Sequence, residues 1–129
     1  MMTDQTTAPT APTKACPNCG GEVGERTRGM RKSFCSSKCR TTFQNRANAE
    51  GKVVISLLKV WMETRHASPK SDDAEERRRA RVCKDARREV TKIVRMFRDR
   101  DEAEGRPSLV DYVEEMLDEG MYADRTRKH

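Results

Sequence analysis

The sequence predicts a mostly α-helical chain with a small metal-clasped module near its N-terminal end. Three observations lead there. Two close cysteine pairs, Cys16–Cys19 and Cys35–Cys39, are separated by 15 residues. After the second pair, apolar residues recur near the helical period in three successive stretches. The chain has 129 residues, 34% hydrophobic and 37% charged, with six aromatics, which leaves little material for a large core. A deep apolar pocket for a small-molecule substrate is not expected.

Residues 1–14, MMTDQTTAPTAPTK, are low in complexity and read as a disordered lead-in. They contain no apolar run of the about 7–15 residues that a secretory signal needs. The longest apolar stretch, Val53 to Met62, is interrupted by Ser56 and Lys59. It falls short of the roughly 20 residues that span a bilayer. The expectation is therefore a cytoplasmic chain with no membrane partner. In that reducing compartment, spaced cysteines act as metal ligands more often than as disulfides.

The module occupies residues 15–47. Its first pair lies in C-P-N-C-G, where Pro17 fixes one backbone angle and Gly20 and Gly21 permit unusual ones. Backbone amides in such a turn can point at the sulfurs. The second pair lies in C-S-S-K-C, and residues four apart share one face of a helix. Ser36 or Ser37 would cap that helix, and its N-terminus would favour thiolate charge. Cys16, Cys19, Cys35 and Cys39 together match a four-thiolate zinc site. Four cysteines fill the coordination of a tetrahedral ion, which points to a structural rather than a catalytic role. Between the pairs, GEVGERTRGMRKSF reads as a short hairpin.

C-P-N-C-G, a short basic segment and then F-C-S-S-K-C-R-T-T-F resemble the small bacterial and phage zinc fingers with an F-C-S-x-x-C-R signature. Eukaryotic FCS- and MYM-type fingers share a related pattern, as do the bacterial zinc-finger inhibitors of DNA gyrase, whose second pair is likewise C-x3-C. The resemblance covers residues 14 to about 47. It implies a treble-clef fold: a zinc knuckle, a short β-hairpin, then a helix carrying the second ligand pair. It also implies ligand positions at Cys16, Cys19, Cys35 and Cys39, aromatic positions at Phe34 and Phe43, and a basic position at Arg40.

A helical extension is expected over residues 48–120. The first helix, from Lys38 to about His66, carries Phe43, Ala47, Val54, Leu57, Leu58 and Trp61, and Gly51 either divides or weakens it. A second starts near Ser71 or Asp72, with acids in its first turns, and runs to about Glu104 before Gly105 and Pro107. Its stripe includes Cys83, Ala86, Val90, Ile93, Val94 and Phe97. The first two should form a hairpin. A third opens at Ser108 through a capping box with Asp111, buries Leu109, Tyr112, Val113, Met116 and Leu117, and ends at Gly120. Residues 121–129 read as a basic tail. Stripes this thin suit a modest bundle, a homodimer or a docked protein partner.

Residues 1–70 carry 12 Lys and Arg against 5 Asp and Glu, whereas residues 71–129 carry 15 against 16. The densest positive segment holds Arg26, Arg28, Arg31, Lys32, Lys38, Arg40 and Arg46, with no acid between them. Such a patch attracts phosphate backbones, and neighbouring Gln44 and Asn45 can read base edges. The leading expectation is a DNA- or RNA-binding zinc protein. The alternative is a protein-interaction adaptor in which zinc only stabilises the module. The arginines around Arg77–Arg88 alternate with acids and read as paired on an exposed face. An enzyme is not expected: no Ser-His-Asp set or phosphate loop is present, and no H-x-E accompanies the cysteines as in zinc deaminases.

Overall fold

The computed structural model describes residues 14–24 and 33–122. All but Lys14 of the expected lead-in, all but Met121 and Tyr122 of the expected basic tail and most of the expected hairpin lie outside the described residues. The protein is mostly helical, with α1 at Ser37–Thr64, α2 at Ala74–Ala103 and α3 at Val110–Asp118. No strand occurs among the described residues, only an isolated antiparallel bridge between Ala15 and Glu22. None of the described helices is long and apolar enough to cross a membrane.

Each helix boundary has a local cause. Ser36 opens α1: its carbonyl accepts from Arg40 N at 3.1 Å and its hydroxyl from Cys39 N at 3.1 Å. Gly51 does not divide α1, which runs unbroken for 28 residues. One glycine costs a helix only about 1 kcal/mol relative to alanine, too little to break one that is packed along its length. At the far end, the Thr64 hydroxyl turns back to Val60 O at 2.7 Å. The second helix starts slightly later than expected because Asp73 is the cap, accepting from Glu75 N at 3.2 Å, while Ser71 Oγ accepts from Asp73 N at 3.1 Å. It ends at Glu104, followed by Gly105 at φ 80°.

The capping box expected for α3 is not formed. Leu109 occupies the cap without a side-chain bond, and Ser108 Oγ accepts from Val110 N at 3.2 Å instead. Gly120 does terminate α3 as expected, at φ 66°, donating to Leu117 O at 3.1 Å.

The described residues divide into two compact units: those up to Phe43 with those from Gly105 onward, and Gln44–Glu104. The second unit is the expected helical hairpin. Ion pairs Glu63–Arg79 at 2.9 Å, Glu50–Arg100 and Arg46–Asp101 at 3.9 Å join α1 to α2 in antiparallel register. Between them Val54 and Ala86 are buried, with Leu57, Trp61, Cys83, Val90, Ile93 and Phe97 half-buried. Leu58 and Val94, expected inside, are 39% and 44% exposed. In the connecting turn, Ser68 N donates to Glu76 Oε2 at 3.0 Å. That bond, with help from the Ser71 hydroxyl, holds the Glu76 carboxyl below its ordinary range.

The first unit differs from the expected division. The sequence places α3 in the helical extension, but the structure groups it with the cysteine module. The physical reason is a cluster of three rings, with Phe34–Phe43, Phe34–Tyr112 and Phe43–Tyr112 centroids 5.1, 5.8 and 5.2 Å apart. Lys14 also pairs with Glu115 at 2.7 Å, and Ser33 Oγ donates to Glu115 Oε1 at 3.5 Å. Met116 is buried as expected, but Leu109 and Leu117 are 40% and 62% exposed.

Replacing Tyr112 with alanine removes two ring contacts and should destabilise the first unit by roughly 2–3 kcal/mol. Leu117→Ala should change stability by less than about 0.5 kcal/mol because its side chain is mostly solvated. Thermal denaturation of both variants, loaded with metal, checks this. Equal destabilisation would restore the apolar face expected from the sequence.

Candidate metal centre

The first unit brings the predicted cysteines together. The sulfurs of Cys16, Cys19, Cys35 and Cys39 all lie within 4.8 Å of one another. Two separations are 3.6 Å, Cys19 to Cys35, and 3.5 Å, Cys35 to Cys39. Around an ion with metal–sulfur bonds of about 2.3 Å, tetrahedral geometry requires sulfur–sulfur edges of ~3.8 Å. The cluster is thus already close to the shape of a four-thiolate metal site, and it can hold a metal ion.

Local sequence explains the convergence. Gly20 N donates to Cys16 O at 2.8 Å, and Cys16 N donates to Gly21 O at 2.7 Å. The bridge between Ala15 and Glu22, with Val23 N on Lys14 O at 3.0 Å, closes this knuckle. Gly20 sits at φ 80°, and a Cβ there would lie 3.1 Å from the Gly105 carbonyl, so two independent constraints select glycine. Gly21 N donates to Cys19 Sγ at 3.3 Å. The second pair straddles the start of α1, whose positive dipole end faces the sulfurs.

The electrostatics show how four acids of one kind share the space. Burial would raise the Cys16 thiol, but backbone amides of Cys35, Cys19 and Asn18 outweigh it and the net shift is downward. The Asn18 side chain, then the Cys35 thiol, pull Cys39 down to about 7. Hydrogen bonds to Cys39 and then Cys19 push Cys35 up to about 12, so it keeps its proton after Cys16 and Cys39 have given up theirs. A metal ion must displace that proton, and acid therefore competes with metal. Sequence reasoning missed Asn18, whose place inside the first C-x-x-C was the available signal.

Cys83 lies half-buried on α2 and is not part of the cluster. Lys38, Arg40, Gln44 and Asn45 are exposed on the first turns of α1. At roughly 100° per residue, Lys38 and Asn45 share one flank of α1, while Arg40 and Gln44 share another about 130° around the axis. The Arg46 side chain is only 17% exposed and pairs with Asp101. Arg26, Arg28, Arg31 and Lys32 lie outside the described residues.

No family model, no curated protein and no solved structure matches this chain.

Cys35→Ser should lose most bound metal, whereas Cys83→Ser should keep close to one ion per chain, as metal analysis of the purified proteins would show. Full retention by the Cys35 variant would remove that residue from the ligand set. Chelation should melt the first unit and leave most helicity, since Gln44–Glu104 makes its own hairpin contacts. Circular dichroism with and without chelator checks this, and complete loss of helix would contradict it.

Proposed function

We propose that the protein is a zinc-binding, nucleic-acid-binding protein whose cysteine module presents basic side chains to phosphate backbone. The observation that carries the reading is the four-sulfur cluster at the start of an exposed basic helix. Zinc is the ion best suited to four thiolates in a tetrahedron, and it holds them without redox chemistry. The role is structural, because four protein ligands leave no position for water or substrate.

On this reading the module is a treble-clef finger of the F-C-S-x-x-C-R kind, with its hairpin formed by the segment between the ligand pairs. Arg26, Arg28, Arg31 and Lys32 from that segment, with Lys38 and Arg40 from α1, supply the phosphate contacts. Gln44 and Asn45 are the side chains available for base edges. Arg46 contributes less, since its guanidinium is already paired with Asp101. The helical hairpin serves dimerisation or docking.

Replacing Arg28, Arg31 and Lys32 with alanine should weaken binding about equally for all sequences. The slope of log affinity against log salt should flatten by about 3 for B-DNA. Anisotropy titrations over a salt series measure both quantities. No binding by the unmodified chain at low salt would favour the adaptor reading, in which zinc only stabilises a protein-interaction module.

A further inference from the structure

The second unit carries a basic groove that lies outside the cysteine module. It is a shallow cleft of about 870 Å³, largely open to solvent, along one side of α2. Ala80 and Cys83 from the helix and Ala67 and Pro69 from the turn line its upper end. Lys84, Arg87, Arg88, Lys92 and Arg95 also line it, all of them exposed.

The linear sequence conceals this face. Of the acids near these bases in the chain, Glu89 projects ~60° past Lys92 around the helix axis, Asp85 lies at the edge of the face and Asp99 lies on it. Arg78 and Arg79 do pair, with Glu75 at 2.8 Å and Glu63 at 2.9 Å. Arg88 reaches Asp85 at 3.5 Å, with both side chains well exposed. Lys84, Arg87, Lys92 and Arg95 make no ion pair among the described residues. The acid among the lining residues is Asp99, which lies 3.4 Å from Arg98.

The spacing favours a linear polyanion. From Lys84 to Arg95 the helix rises ~16 Å, with a cation every ~5–6 Å. Duplex DNA presents one phosphate charge per about 1.7 Å of axis, so several phosphates fall within that span. A membrane surface is a poorer fit. Interfacial helices bury large apolar residues beside their cations, whereas this groove offers alanine, proline, cysteine and one methionine.

We propose that the α2 groove is a second phosphate-backbone surface, in which Lys84, Arg87, Lys92 and Arg95 track the backbone of a nucleic acid duplex. It shares a partner class with the proposed function but rests on different residues, so either stands without the other.

The test uses the full zinc-loaded chain and a short random-sequence DNA duplex carrying a fluorophore, titrated over a salt series. One variant carries Lys84→Gln, Arg87→Gln, Lys92→Gln and Arg95→Gln; glutamine preserves helix propensity, and circular dichroism verifies the fold. At about 0.1 M salt it should bind at least about a hundredfold more weakly, and its salt slope should fall by about 3–4. A second variant, Lys38→Gln with Arg40→Gln, probes the cysteine module separately. A reduced slope in the first variant supports the groove, whatever the second does. An unchanged slope in the first overturns the groove, and a reduced slope in the second alone leaves the module as the binding surface. Binding of the unmodified chain to phosphatidylserine vesicles but not to the duplex overturns the choice of partner.

Discussion

Four sulfur atoms held within 4.8 Å of one another are the constraint on which the first unit depends. Few of its described residues are buried: Cys16, Pro17, Val23 and Met116. Such a core cannot offset the conformational entropy of ordering two separate chain segments. Hydrogen bonds to Cys39 and then Cys19 keep the proton on Cys35. A bound ion displaces that proton and offsets the repulsion among the thiolates. The same point sets the geometry around it. Cys35 and Cys39 straddle the start of α1, and Phe34, next to Cys35, completes a triangle of rings with Phe43 and Tyr112.

The second unit is held differently. Only Val54, Thr64 and Ala86 are buried there, but together with half-buried Leu57, Trp61, Cys83, Val90, Ile93 and Phe97 they recur at three- and four-residue intervals along two long helices, so small contributions repeat over a long seam. Ion pairs Glu63–Arg79, Glu50–Arg100 and Arg46–Asp101 flank that seam and specify its register. Each exposed pair adds under about 1 kcal/mol, so their role is alignment more than strength. The apolar side chains Val53, Ile55 and Met62 remain about half exposed on α1.

Features governed by neighbouring residues were legible in the sequence. The two cysteine pairs, the Ser36 cap, the helix stop at Gly105 and the αL residue at Gly120 all follow from chemistry within a few positions. Features governed by distant residues were not. Tyr112 reads as one apolar residue of an amphipathic helix, and nothing near it reveals that its ring meets Phe34 and Phe43. Arg46 counts toward a basic patch until Asp101 stands beside it. The groove bases fail for a third reason: read along the chain they count as partners of nearby acids, whereas Lys84, Arg87, Lys92 and Arg95 make no ion pair among the described residues.

The first unit is made of two pieces, with Gln44–Glu104 lying between them in the chain. This discontinuity bears on the order of folding. Bringing the two pieces together across a flexible loop of that length costs on the order of 3–4 kcal/mol in chain entropy, before the metal contributes anything. A hairpin brings its own first and last residues near each other, as the pairing of Glu50 with Arg100 shows. Once α1 and α2 have zipped, most of that closure cost has been met by the hairpin's own contacts. The hairpin therefore carries the return of α3 to the cysteine module, whose four candidate ligands all lie in the first piece, at residues 16–39.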